Sequence, residues 1–120
     1  MRAVEKTNPR IVNLISILKE TSRTSDTRIW REIARRLESP NKNHAEVNIS
    51  KINRYAASGE TIIVPGKVLG SGAIDQPVVV AALTFSKSAE EKIAGAKGSC
   101  ITIEQLVTDN PKGSGVRILR

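Results

Sequence analysis

Cysteine, histidine and aromatic residues are nearly missing from this 120-residue chain: one cysteine, Cys100, one histidine, His44, and three aromatics, Trp30, Tyr55 and Phe85. One cysteine excludes an internal disulfide framework. One cysteine and one histidine leave no zinc site of the usual Cys/His kind within one chain, and no metal site is expected. Cys100 lies in the short apolar run Cys100–Ile103, where a buried, inert thiol is expected. Three aromatics are too few both to fill a core and to build a platform that stacks single-stranded bases. No apolar run approaches the roughly 18 residues of a membrane span, and Met1 to Glu5 shows no signal-peptide pattern. A secreted, membrane or disordered protein is therefore disfavoured, and a cytoplasmic globular domain spanning residues 1–120 is expected.

What the chain does have is positive charge. Lys plus Arg is 19 against 12 Asp plus Glu, a net charge of +7. Eight of the ten arginines lie in residues 1–60. Apolar residues make up 39% and eight glycines add to them, which is enough for a core. If such a chain binds nucleic acid, it does so through phosphates, 2′-hydroxyls and shape rather than through stacked bases.

Residues 1–7 read as a basic arm. Asn8-Pro9 is an N-cap followed by a proline at the first helical position. Ile11, Val12, Leu14, Ile15 and Leu18 then keep helical spacing and are expected to face a core, with Thr21-Ser22 ending the helix. A second helix is predicted from Ser25-Asp26 to Glu38, stopped by Ser39-Pro40. On its wheel Ile29, Trp30, Ile33, Ala34 and Leu37 share one arc, and Arg28, Arg31 and Arg35 share another without a carboxylate among them. Glu32 and Arg36 can pair at i,i+4. The arginine arc suits either a solvated helix face or a phosphate-binding one, and the planar guanidinium fork favours the second.

Val47 to Ile49 is predicted as a short strand, Ser50 as the cap of a helix holding Ile52, Tyr55 and Ala56, and Gly59 as its end. Thr61–Val64 reads as a strand and Val78–Leu83 as a buried one. Between them Pro65 to Gly72 reads as a glycine-rich turn: a tight turn, or a place where backbone N–H groups and Lys67 approach a phosphate. It fails the P-loop and dinucleotide spacings, since position 61 is Thr, Val68 follows Gly66-Lys67, and position 75 is Asp. Ser88 and Glu91 have capping-box spacing, as do Thr102 and Gln105. The helix between is expected to end near Gly98. Cys100–Thr102 reads as a short strand, and Lys112 to Arg120 as a basic tail. Asn48-Ile49-Ser50 matches a glycosylation sequon and is taken as chance. No paired carboxylates or Ser/His/Asp set emerges, so neither a catalytic site, a cofactor nor a small-molecule substrate is expected.

Arg36-Leu37 through Pro40 and His44-Ala45-Glu46-Val47-Asn48-Ile49-Ser50-Lys51-Ile52 resemble the signature of ribosomal protein L-eighteen-e, a large-subunit protein related to bacterial L-fifteen. Thr7 to Arg10, Val64 to Gly72, Ala82 to Ala89 and Pro111 to Arg117 agree with it, so the resemblance spans nearly the whole chain. Two departures stand out. Asn41 replaces a usual basic residue, and Lys97-Gly98 places a glycine one position late, which implies a shifted helix end. The resemblance implies an α/β fold of the L-fifteen/L-eighteen-e type, with N-terminal helices packed on a glycine-turned β/α unit. It also implies a non-catalytic scaffold on large-subunit (50S) ribosomal RNA, beside neighbouring ribosomal proteins. The residues expected at RNA phosphates are Arg10, Arg23, Arg28, Arg31, Arg35, His44, Lys51, Arg54, Lys67, Lys112, Arg117 and Arg120. The rival readings are a DNA-binding regulator built on the two N-terminal helices, and an enzyme with an unfamiliar site.

Overall fold

Parallel strands run through the middle of the molecule, with helices on both faces. The computed structural model describes residues 8–40, 44–56 and 60–120. In chain order the elements are α1 (Pro9–Ser25), α2 (Arg28–Glu38), β1 (Ala45–Asn48), α3 (Ile49–Tyr55), β2 (Thr61–Leu69), β3 (Val79–Phe85), α4 (Lys87–Gly95), β4 (Ser99–Thr102), α5 (Ile103–Asp109) and β5 (Val116–Ile118). The sheet order is β1-β2-β3-β4, and β5 also pairs with β2. All these pairings are parallel.

A sheet covered on both faces needs apolar residues at consecutive strand positions, because neighbours point to opposite sides. Ile62-Ile63-Val64 and Val80-Ala81-Ala82 supply them. Ile62, Val64, Val80 and Ala82 face a cluster with Ile49 and Ile52 of α3 and Ala89 and Ile93 of α4. Ile63 and Ala81 face Leu14 and Leu18 of α1, Trp30, Ile33 and Leu37 of α2, and Ile103 and Leu106 of α5. The α/β expectation, with N-terminal helices on a glycine-turned β/α unit, matches this architecture.

Helix ends follow local chemistry and correct several expected boundaries. Asn8 caps α1 as expected, its side chain accepting from the Arg10 N–H at 2.9 Å. The helix runs past Thr21-Ser22 to Ser25 and ends where Asp26 turns left-handed, with φ 53°. Val12 faces outward, 44% exposed, because α1 buries only a narrow stripe. The cap of α3 is Asn48 rather than Ser50, and its side-chain oxygen accepts from the Ser71 N–H. The cap of α4 is Ser86 rather than Ser88, accepting from the Ala89 N–H at 3.2 Å. Thr102 caps α5 through the Gln105 N–H, as its spacing predicts. The expected end of α3 at Gly59 lies outside the described residues, as does the arm 1–7.

At the end of α4, the Gly98 N–H reaches the Ile93 carbonyl and the Lys97 N–H the Ala94 carbonyl. That is a Schellman closure, and Lys97 takes its left-handed position at φ 68°. Glycine is free of that duty and serves one residue later. A Cβ at Gly98 would lie 2.4 Å from the Val78 carbonyl oxygen.

The glycine-rich stretch Pro65 to Gly72 is a turn only in its second part. Pro65 to Leu69 continue β2, and only the segment after Leu69 turns. Residues 70–78 then return the chain to the start of a parallel neighbour. Nine residues reach at most about 30 Å, while the seven residues of β3 already span about 23 Å, so the return is nearly taut. It is held against the helices. Lys92 Nζ donates to the carbonyls of Gly70 and Gly72, at 2.8 and 2.9 Å. The Asn53 side-chain oxygen accepts from the Asp75 N–H at 3.2 Å. The expected basic tail is likewise part of the fold: Val116, Arg117 and Ile118 pair with Thr61, Ile62 and Ile63, and Leu119 is buried.

Candidate nucleic-acid interface

Helix α2 presents its arginines because its other face is fully used. Trp30, Ile33, Ala34 and Leu37 are buried, and the Trp30 indole N–H donates to the Pro111 carbonyl at 2.7 Å. That fixes the rotation of the helix and turns Arg28, Arg31 and Arg35 to solvent. The left-handed turn at Asp26 folds α1 back so that Lys19 and Arg23 join them. Lys19, Ser22, Arg23, Asp26, Thr27, Arg28 and Arg31 line an open hollow of about 480 Å³. Arg28, Arg31, Glu32 and Arg35 line its continuation, about 270 Å³.

One expectation for this face needs correction. The arginine arc does contain a carboxylate, because Glu32 reaches both ways. Its Oε1 accepts from Arg35 Nη2 at 3.1 Å, and its Oε2 forms an ion pair with Arg36 Nη2 at 2.9 Å. Lys19 pairs with Glu38. Arg23, Arg28 and Arg31 have no partner among the described residues.

The other expected contacts are spread over the molecule, and several are tied down. Arg10 makes a two-pronged pair with Glu104, through Nε at 2.8 Å and Nη2 at 3.1 Å, and its Nη1 donates to the Leu83 carbonyl at 2.7 Å. It joins α1, β3 and α5 and is an internal clamp. The hydrogen bonds from Arg10 hold the Glu104 carboxyl below its ordinary range against the opposing effect of burial. The unfolded chain lacks this partner, so the pair stabilises the fold above the ordinary carboxylate pKa and loses its effect as pH falls through the lowered one. Both side chains are about one-third exposed, so the contribution is discounted for solvent. Between pH 6 and pH 3 the urea midpoint of the natural chain is expected to fall more than that of Glu104→Gln. Equal slopes would remove the pair as a source of acid sensitivity.

His44 Nε2 lies 3.2 Å from the Leu37 carbonyl, which needs the tautomer protonated there. Lys51 Nζ donates to the main-chain carbonyl of Arg120. Arg54 sits over the Tyr55 ring at 5.7 Å. Arg117 Nη1 donates to the Tyr55 carbonyl at 3.1 Å and lies 3.6 Å from Glu60, so it stitches β5 to the end of α3 instead of threading outward. Lys67 is exposed on β2 and shares a hollow of about 300 Å³ with Arg10, His44 and Glu46. Lys112 and Arg120 are exposed. The glycines beside Lys67 serve packing: a Cβ at Gly66 or Gly70 would meet other atoms at 1.9 or 2.0 Å.

Sequence reasoning passed over Lys19, Lys92 and Arg36. The sequence marks Arg36 as the partner of Glu32 and as part of the signature segment, and the structure adds that it lines a cavity with His44 and Arg120. Cys100 is half-buried; burial, and then the Glu90 charge, push its thiol up to about 11, which leaves it a poor nucleophile. Among the described residues no group of three His, Cys, Asp or Glu is placed to hold a metal, and no helix is long and apolar enough to cross a membrane.

The family model described as "Ribosomal protein 60S L18 and 50S L18e" matches residues 1–120. The chain belongs to this family. A relative from Methanoregula boonei is 72% identical over 99% of this chain and 98% of its own length. One from Methanosphaerula palustris is 67% identical over 98% of this chain and 97% of its own. One from Archaeoglobus fulgidus is 51% identical over 97% of this chain and 99% of its own. Each is named "Large ribosomal subunit protein eL18". Of the two departures from the family pattern, Asn41 lies outside the described residues. At the other, Lys97 is left-handed and closes α4 one residue before Gly98.

Proposed function

We propose that this chain is a structural, non-catalytic constituent of the large ribosomal subunit, and that it binds folded large-subunit ribosomal RNA through the α1–α2 face. The observation that carries this reading is the set Arg23, Arg28 and Arg31: exposed, without partners among the described residues, and lining one hollow. Unpaired guanidinium groups on a chain of net charge +7 attract phosphates, and each phosphate neutralised releases counterions. The chain has only three aromatics for stacking bases, and the deep groove of an RNA helix hides its base edges from side chains, so site choice rests on RNA shape. Lys67, Lys112 and Arg120 extend the contact elsewhere on the surface, with neighbouring ribosomal proteins around them. Arg10 and Arg117 are assigned to the fold instead.

The test is the triple reversal Arg23→Glu, Arg28→Glu, Arg31→Glu. These side chains are solvent-facing, so the urea midpoint is expected to stay close to that of the natural chain. Incorporation into large subunits is expected to fail. Binding to large-subunit RNA is expected to weaken, with the slope of log affinity against log salt shallower by about 3. Unchanged incorporation and an unchanged slope would overturn the reading.

A further inference from the structure

Strands β1 and β5 lie on the same edge of β2, end to end. β1 pairs with Gly66 to Leu69 and β5 with Thr61 to Ile63. Val64 and Pro65 fall in the gap between them. Proline has no N–H, so the gap leaves no donor stranded at that position. Arg36, Ser39, His44, Ala45, Pro65 and Arg120 line the notch, a cavity of about 150 Å³, far more than one water molecule needs.

Among the described residues, the side chains of the lining supply two guanidinium groups, one imidazole and no carboxylate. Arg36 is the best placed. Its side chain is 25% exposed, and Nη2 makes an ion pair with Glu32. Its Nε is sealed from solvent and has no acceptor. Glu32 also binds Arg35, so one carboxylate serves two guanidinium groups. Arginine does not lose its proton, and a buried donor left unmade is costly. Arg36 is thus a fixed, under-neutralised cation with its stem held in the protein. Arg120 enters from the other side, its backbone steadied by Lys51. His44 spends its Nε2–H on the Leu37 carbonyl, so the two guanidinium groups are the donors of the notch.

We infer that this notch seats one backbone phosphate of the bound RNA, with Arg36 and Arg120 as its cationic walls. The inference rests on the ribosomal RNA reading above and adds a contact to it. A phosphodiester offers the several oxygens that a guanidinium fork accepts in pairs. A cation already held in place loses little freedom on binding. Arg35 and Arg36 are neighbours joined through Glu32, so an RNA strand lying on the arginine face is within one helix width of the notch.

The test uses the full chain, large-subunit RNA and inorganic phosphate. Arg120→Gln leaves the Glu32 pairs untouched. It is expected to bind RNA more weakly at every salt concentration, with a salt slope shallower by about 1. Arg36→Lys, which keeps charge but loses the fork, is expected to weaken binding as well. In nitrogen-15 spectra of the natural chain, the Arg36 Nε–H signal, a buried reporter of the guanidinium group's surroundings rather than itself a phosphate donor, is expected to move saturably with inorganic phosphate, and not with chloride at equal ionic strength. An unmoved signal overturns the notch as an anion site. A moved signal with an unchanged RNA slope in Arg120→Gln overturns the RNA assignment and leaves a free-phosphate site. The two readings fail separately: the triple reversal on α1–α2 tests RNA binding as such, and these variants test only the notch.

Discussion

Trp30→Ala is expected to remove about 3–5 kcal/mol of folding stability, the range for truncating a buried large aromatic. Trp30 is fully buried in the cluster formed by α1, α2, α5 and the sheet. Truncation opens a cavity among Leu14, Leu18, Ile33 and Ile63, which belong to three different elements and do not collapse together. It also strips the Pro111 carbonyl of its donor. Native domains have only about 5–15 kcal/mol in all, so the variant is expected to be partly unfolded at moderate urea. The functional consequence follows from rotation. Trp30 fixes which face of α2 looks outward, so its loss also frees Arg28, Arg31 and Arg35 from their common direction. Trp30→Phe separates the two effects, because it keeps most of the packing and deletes only the hydrogen bond, a loss of about 1 kcal/mol beyond the smaller ring. Circular dichroism against urea is the measurement, since the natural chain's one tryptophan is the residue removed. A loss below about 1 kcal/mol for the alanine variant would show that the helical layer is not anchored there.

The legible parts of this fold are those where local pattern and tertiary role agree. The period of α2 names its buried face correctly, and Asn8-Pro9 names the start of α1. Val78–Leu83 reads as a buried strand because a sheet covered on both sides asks for unbroken apolar runs, and β3 occupies Val79–Phe85. The misread segments are those where a long-range neighbour overrides local signals. Pro65 and Gly66 are turn residues by propensity, yet they sit in β2 because one faces the gap between two edge strands and the other passes under a carbonyl. Arg117 comes soon after Lys112-Gly113-Ser114-Gly115 and reads as part of a tail, but a three-residue parallel strand needs only β2 beside it. Asn48, not Ser50, precedes α3, and its side-chain oxygen is taken by the Ser71 N–H of the returning loop rather than by the helix. The same limit applies to the interface. Adjacent arginines on one helix face are visible in sequence. That Arg10 is clamped by Glu104, 94 positions away, and that Arg36 and Arg120 share a notch, depend on how the sheet closes.

Gly66→Ala tests that closure, and its expected cost is among the largest for so small a change. An added Cβ would lie 1.9 Å from the Ala45 carbonyl oxygen and 2.8 Å from the Ala45 N and C atoms. All three are backbone atoms of the paired strand, so no side-chain rotation relieves the contact. One of the two strands has to move. β1 holds only four registered positions on β2, from Ala45 opposite Gly66 to Asn48 opposite Leu69, and is the one expected to yield. Overpacking usually costs 1–3 kcal/mol, and this clash is expected at or above the upper end because strand pairing is lost with it. Gly95→Ala is the matched control. Its Cβ meets nothing within 4 Å, and it lies in a helix, where alanine is favoured by roughly 0.5–1 kcal/mol. The same methyl group is thus expected to stabilise at one glycine and break a strand pair at the other. Because Ala45 and His44 line the notch beside Pro65, a displaced β1 also opens it. Gly66→Ala is therefore expected to blunt the phosphate response of the Arg36 Nε–H signal even in buffer where the protein stays folded. Unchanged stability together with an unchanged phosphate response would mean that the β1–β2 contact is looser than its geometry states.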